Sequence, residues 1–141
     1  MIRKYNTDDL AELLDVWYSA CQIAHPFWTA DVFERERRDI SEKFLPISET
    51  WVSEREGRVV GFISLLGNEI GGIFVAPTEQ GQGIGRALID HVRSSREYLE
   101  LDVFAANKIG TAFYDVYGFT VVGERLDEET GLGVLRLRLD G

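Results

Sequence analysis

Gln80-Gly81-Gln82-Gly83-Ile84-Gly85-Arg86 is the segment best equipped for chemistry, because three alternate glycines stand between a strand pattern and a helix pattern. That spacing lets the backbone fold tightly and turn successive N–H groups toward one point. The helix that follows adds its positive dipole end and unpaired donors, and Arg86 in its first turn adds a full charge. Together these make an anion site suited to a pyrophosphate. Two familiar phosphate motifs do not fit. A dinucleotide fingerprint needs G-x-G-x-x-G/A, whereas counting from Gly81 puts Arg86 last and counting from Gly83 puts Leu88 there. A P-loop needs Lys and then Ser or Thr after its final glycine, and neither is present. An ordinary strand-to-helix turn requires neither Gln80 nor three alternate glycines.

Few other residues are placed for catalysis. Tyr114 sits on a helical pattern, offset from the apolar positions Ile109, Ala112, Phe113 and Val116, so the core does not demand it. Glu69 opens a strand pattern, a position charged residues commonly take for no catalytic reason. His25 has a side chain that titrates near neutrality, but before Pro26, in a connection between helices, packing explains it as well. Phe27 and Trp28 beside it offer an apolar surface for a ligand. Asn107 has the composition of a helix N-cap. Cys21 is the one cysteine; it lies on an apolar helix face and reads as core, and no Cys/His cluster has metal-ligand spacing.

The elements that must position these groups follow from periodicity and punctuation. Ile2 to Tyr5 is a short strand, and Asn6-Thr7-Asp8-Asp9 then caps a helix whose apolar face runs Leu10, Leu13, Leu14, Trp17, Ala20, Cys21. A second helix is expected over Asp31 to Leu45, with Val32, Phe33, Ile40 and Phe44 inward and Pro46 as its stop. Its mixed-sign run Glu34 to Asp39 reads as a solvated face. Strands over Thr50 to Glu54 and Arg58 to Leu66 flank the turn Glu56-Gly57, and Glu69 to Ala76 follows the turn Gly67-Asn68. Gly71-Gly72 inside that last strand suggests a bulge or a close backbone approach. After the loop come a helix from Ile84 to about Arg96, a strand around Leu99 to Val103 and a helix from Asn107 to Gly118. Strands over Phe119 to Arg125 and Leu132 to Leu139 end the chain. The order is β-α-α-β-β-β-α-β-α-β-β, a mixed α/β fold.

Composition narrows the function. The 141 residues have the length of a single domain, and 45% hydrophobic with 28% charged residues is ordinary for a globular protein. A net charge of −9 repels phosphate backbones, which argues against general nucleic-acid binding and suits cationic amines. No apolar run spans a bilayer and no signal-type segment opens the chain, so no membrane partner and a cytoplasmic location are expected.

The spacing Gln80-x-x-Gly83-x-Gly85 resembles the Q/R-x-x-G-x-G/A acetyl-CoA signature of the GNAT superfamily of N-acetyltransferases. Gly72-Ile73-Phe74-Val75-Ala76-Pro77 is similar to that family's fourth strand. Asn107, Phe113-Tyr114 and Gly118-Phe119 are similar to its N-x-x-A-x-x-F/L-Y-x-x-x-G-F segment, with Gly110 standing where alanine is usual and loosening the helix start. The resemblance covers nearly the whole chain, and Ala24-His25-Pro26-Phe27 resembles a bacterial branch of small members. It implies a GNAT fold, a mixed and mostly antiparallel sheet of about seven strands with helices on both faces. It implies transfer of an acetyl group from acetyl-CoA to a primary amine of a small molecule or peptide. It also implies main-chain contacts from Ile73 and Val75 to the pantetheine arm, with Phe74 between them as a further coenzyme-binding residue, and a pyrophosphate held by Gln80, Gly81, Gln82, Gly83, Ile84, Gly85 and Arg86. Asn107 would orient the coenzyme, Tyr114 would act as general acid on the sulfur, and Glu69 as base through water. His25, Phe27 and Trp28 would line the acceptor pocket. The last strands of such folds often pair between subunits, which leaves the oligomeric state open between a monomer and a homodimer. A non-catalytic acyl-CoA-binding or sensing module is the alternative, since a fold can retain a ligand site without turnover.

Overall fold

Asn6 starts the first helix with a reciprocal cap: its side chain accepts the Asp8 N–H at 2.9 Å, while the Asp9 carboxylate accepts the Asn6 N–H at 3.0 Å. A 3₁₀ turn, Thr7–Asp9, leads into α1 (Leu10–Ala24), whose buried stripe contains Leu13, Leu14, Trp17, Ala20 and Cys21. Thr29 caps α2 (Ala30–Asp39). The single helix expected to reach Leu45 instead changes pitch. Ile40–Phe44 is a π-helical turn closed by Leu45 N–H donating to the Ile40 carbonyl at 2.9 Å. The computed structural model describes every residue from Met1 to Gly141.

The strands are β1 (Ile2–Lys4), β2 (Glu49–Arg55), β3 (Arg58–Leu66), β4 (Glu69–Val75), β5 (Tyr98–Phe104), β6 (Thr120–Leu126) and β7 (Gly133–Asp140). Between β4 and β5 lies α3 (Ile84–Arg93), three residues shorter than expected, and between β5 and β6 lies α4 (Lys108–Tyr117). The β2–β3 hairpin turns on Glu56 and Gly57, with φ of 54° and 77°. Two successive left-handed residues match the twist of the flanking strands. The sheet order is β1-β2-β3-β4-β5-β7-β6, and every neighbouring pair is antiparallel except β4 and β5.

Helices cover both faces. One core cluster gathers Leu88, Ile89 and Val92 of α3 and Tyr114 of α4 against Ile63, Leu99 and Leu137 of the sheet. The other packs Leu13, Trp17 and Cys21 of α1 against Val52, Val59 and Phe62. β3 is therefore buried on both sides, which is why Val59 to Leu65 reads as an unbroken run of buried residues. β6 is an outer edge with Val121, Val122 and Leu126 exposed. No helix is long and apolar enough to cross a membrane.

Candidate active site

The sheet opens where β4 meets β5. Those two strands share a single registered pair, Glu69 with Glu100, and then diverge. Gly71 marks the break on the other edge of β4. Ser64 pairs with Gly72 and Leu65 with Ile70, so Gly71 is an extra residue without a partner, the bulge that its sequence suggested. A Cβ on Gly71 would run into the Phe44 ring. Ala76 N–H donates to the Val60 carbonyl at 2.8 Å. Alternation along an antiparallel ladder then turns the main-chain groups of Ile73 and Val75 away from β3 and into the gap.

The glycine loop begins at the far end of β4. Gly81 and Gly83 have φ of 83° and 82°, conformations that L side chains rarely adopt. No N–H from Gly81 to Arg86 donates within the protein; the first bond of α3 is Ala87 N–H to the Gly83 carbonyl, 3.0 Å. Free donors beside the positive end of a helix dipole give this loop the chemistry to receive an anion. Gly85 serves a different need, close packing, since a Cβ there would lie 3.1 Å from Cζ of Phe113. Gln80 ties the loop to the strand by donating to the Val75 carbonyl at 3.2 Å.

Two cavities meet inside this gap. The first, about 480 Å³, is lined by Ile73, Val75, the loop, and Ile109, Phe113 and Val116 of α4. The second, about 390 Å³, lies on the α2 side of the sheet and is lined by Trp28, Glu36, Asp39, Phe44, Gly71 and Asp102 among others. Ile73, Phe74, Asn107 and Tyr114 line both. Tyr114 is only 8% exposed, held edge-on by Phe113 and Phe119 at 5.3 and 5.4 Å. Burial alone holds its phenol far above the ordinary tyrosine pKa, so it is a protonated donor at any working pH.

A gap of this kind, a free N–H loop and two confluent cavities suit a pyrophosphate-bearing donor on one side and a second substrate on the other. Residues 46–121 match the model of the acetyltransferase (GNAT) domain. The chain belongs to the GNAT family of acetyltransferases. It is 31% identical to the peptidyl-lysine N-acetyltransferase YiaC of Escherichia coli (strain K12), over 94% of this chain and 91% of that protein. It is 30% identical to YjaB of the same organism, also a peptidyl-lysine N-acetyltransferase, over 92% and 88%. The solution structure of apo YjaB superposes with a TM-score of 0.86 at 29% identity, covering 98% of this chain and 95% of that one. This acetyltransferase therefore moves an acetyl group from acetyl-CoA to an amine.

The acetyltransferase brings together most of the residues singled out from its sequence. Ile73, Phe74, Val75, Gln80, Gly81, Gly83, Ile84, Gly85, Arg86 and Asn107 all line the first cavity. Gln82 does not: its side-chain oxygen turns outward to the Arg55 guanidinium on the β2–β3 hairpin. Asn107 caps α4, accepting the Gly110 N–H at 2.9 Å. Gly110 packs beneath that cap: a Cβ there would stand 2.5 Å from Nδ2 of Asn107. His25 and Trp28 line the second cavity, stacked at 4.4 Å, and Phe27 backs them, edge-on to His25 and Phe104 at 5.6 and 5.2 Å. Burial pushes the His25 imidazole down to about 4 and the Cys21 thiol up to about 12, so both are neutral.

Glu69 stands apart from this cluster. Arg136 holds both of its oxygens, at 3.1 and 3.2 Å, and it lines neither cavity. The inward face expected for α4 is also corrected. Tyr114 is the buried residue, while Ile109 and Val116 are 52% and 80% exposed because they face the first cavity rather than the core. Part of the run read as a solvated face points inward as well. Glu36 and Asp39 line the second cavity, where Asp102 of β5 joins them. Desolvation raises the Glu36 carboxyl pKa; Arg35 opposes that shift, and Asp39, Glu129 and Asp127 add to it.

Proposed function

We propose that the enzyme acetylates the side-chain amine of lysine in a peptide or protein, with acetyl-CoA in the first cavity and the lysine in the second. The observation that carries this reading is that Tyr114 lines both cavities, so one largely buried phenol stands between donor and acceptor. The unpaired groups of Ile73 and the Val75 N–H would bind the pantetheine amides as an added strand would. The loop N–H groups from Gly81 to Arg86 and the Arg86 charge would hold the pyrophosphate. Acetyl-CoA supplies a thioester carbonyl as the electrophile. Tyr114 then gives its hydroxyl proton to the departing sulfur.

The second cavity has the chemistry of a lysine side chain. Trp17, Trp28, Phe44 and Phe74 present apolar walls to a four-carbon stem, and Glu36, Asp39 and Asp102 present carboxylates to its ammonium. YiaC and YjaB, both peptidyl-lysine N-acetyltransferases, support the same acceptor class. Thiol release from acetyl-CoA tests this, measured against lysine-containing peptides, polyamines, free amino acids and N-terminal peptides. Lysine peptides are expected to turn over fastest. Tight acetyl-CoA binding without turnover on any amine would replace this reading with a binding or sensing module, and preference for α-amines would replace the acceptor class.

A further inference from the structure

An ammonium cannot attack a thioester, and an ordinary lysine amine has a pKa of about 10.4, so a group in the second cavity must take its proton. The carboxylates near that cavity are not equivalent. Asp102 accepts from Arg125 at 3.1 Å and from Arg136 at 3.3 Å. Asp39 is paired with Lys43 at 3.4 Å. Glu69, outside the cavity, is held by Arg136. His25 is neutral, its Nδ1 buried without a partner, and too weak a base near pH 7. Glu36 lines the same cavity as Tyr114, is partly buried, and makes no hydrogen bond or ion pair.

We propose that Glu36 of α2 is the catalytic proton acceptor, receiving a proton directly from the ammonium of the amine that enters the second cavity. This rests on the acceptor site of the proposed function, but it holds for any cationic amine. The proton balance closes. The ammonium gives one proton to the Glu36 carboxylate, leaving a neutral amine and a neutral carboxylic acid. The nitrogen–carbon bond forms, the carbon–sulfur bond breaks, and the sulfur takes the Tyr114 proton. The second proton lost by nitrogen restores Tyr114, and the proton on Glu36 leaves to solvent. The surroundings favour this exchange, because a carboxyl pKa above the ordinary range narrows the gap to the amine. The groups facing Glu36 are Arg35 and Asp39 on its own helix, Cys21 on α1, and Asp127 and Glu129 in the β6–β7 turn. Asp102 and His25 complete the cavity. Among these, Asp127 is held below the usual carboxylate range by Thr130, and Cys21 stays a thiol.

The test compares Glu36→Gln, Glu36→Asp and the control Glu34→Gln with the wild type, using acetyl-CoA and a lysine-containing peptide or spermidine over a pH series. Acetyl-CoA affinity is read separately by calorimetry. Glu36→Gln is expected to lower kcat at neutral pH by roughly 10²-fold. Its rate should climb steadily toward the amine pKa, because alkali then removes the proton instead. Glu36→Asp should recover part of the rate, and Glu34→Gln and every coenzyme affinity should match the wild type. A Glu36→Gln enzyme with the wild-type pH profile would overturn the assignment while leaving the acceptor site standing. A wild type inactive on both amines would overturn the acceptor site and the assignment with it.

Discussion

Replacing Tyr114 with phenylalanine separates catalysis from stability, because turnover should fall while stability stays close to that of the wild type. The hydroxyl sits on a ring that is 8% exposed, and desolvation is the sole influence on its ionisation, with no hydrogen-bond partner in the protein. The hydroxyl itself opens on the cavities rather than being sealed away from water, so it carries no penalty for an unmet hydrogen bond. Removing it should therefore change stability by less than about 1 kcal/mol. For a chain of this size that keeps Tm within about 3–5 °C of the wild type. The aromatic packing against Phe113 and Phe119 is retained, so the cavities keep their shape. Loss of the proton donor should lower kcat by about 10²-fold or more, whereas acetyl-CoA affinity should change by no more than about threefold. Steady-state thiol release, calorimetric titration and thermal unfolding read the three quantities. A kcat within about threefold of wild type would remove Tyr114 from the mechanism. A fall in Tm alongside kcat would show that the hydroxyl is structural.

Two further perturbations follow from the geometry. Gly83→Ala forces an L side chain to φ of 82°, a strain of about 1–2 kcal/mol. Acetyl-CoA should bind roughly 5- to 30-fold more weakly if the loop relaxes to escape it; unchanged affinity and Tm would contradict a preorganised loop. His25 ties stability to pH. Its pKa of about 4 in the folded state lies below the ordinary imidazole value of 6.5, so the unfolded chain takes up the proton first as pH falls. The His25 contribution to stability should decline from pH 6.5 to about 4 and level off below. His25→Phe should flatten that slope in urea unfolding, and an unchanged slope would assign it to other groups.

The loop and the strand order were legible because their causes are local. Left-handed glycines, a bulge at Gly71 and an α3 N-terminus announce themselves within a few residues, and the register of the glycine motif carried the donor with it. The face of α4 was misread for a physical reason: Ile109 and Val116 line a ligand cavity, and a cavity wall has the same apolar periodicity as a core contact. Glu36 was hidden in an alternating charge run. Its inward position depends on α1 and on the β6–β7 turn, where Glu129 pairs with the neighbouring Arg35. The binding of Glu69 by Arg136 joins residues 67 positions apart, which no local pattern shows. One signal was available: π-helical Phe44 lies over Gly71, and Gly71-Gly72 already asked for something packed close to that backbone.

In the proposed mechanism, donor and acceptor approach from two cavities that join between β4 and β5 at Tyr114. A crystal structure with a lysine-containing peptide whose Nε is joined to coenzyme A through an acetyl linker tests it most directly. The pantetheine arm is expected along Ile73 and Val75, the pyrophosphate on the Gly81 to Arg86 amides, and the linker beside the Tyr114 hydroxyl. The lysine stem is expected between Trp28 and Phe44 with Glu36 nearest its nitrogen. A lysine stem that leaves the junction without entering the second cavity would contradict it.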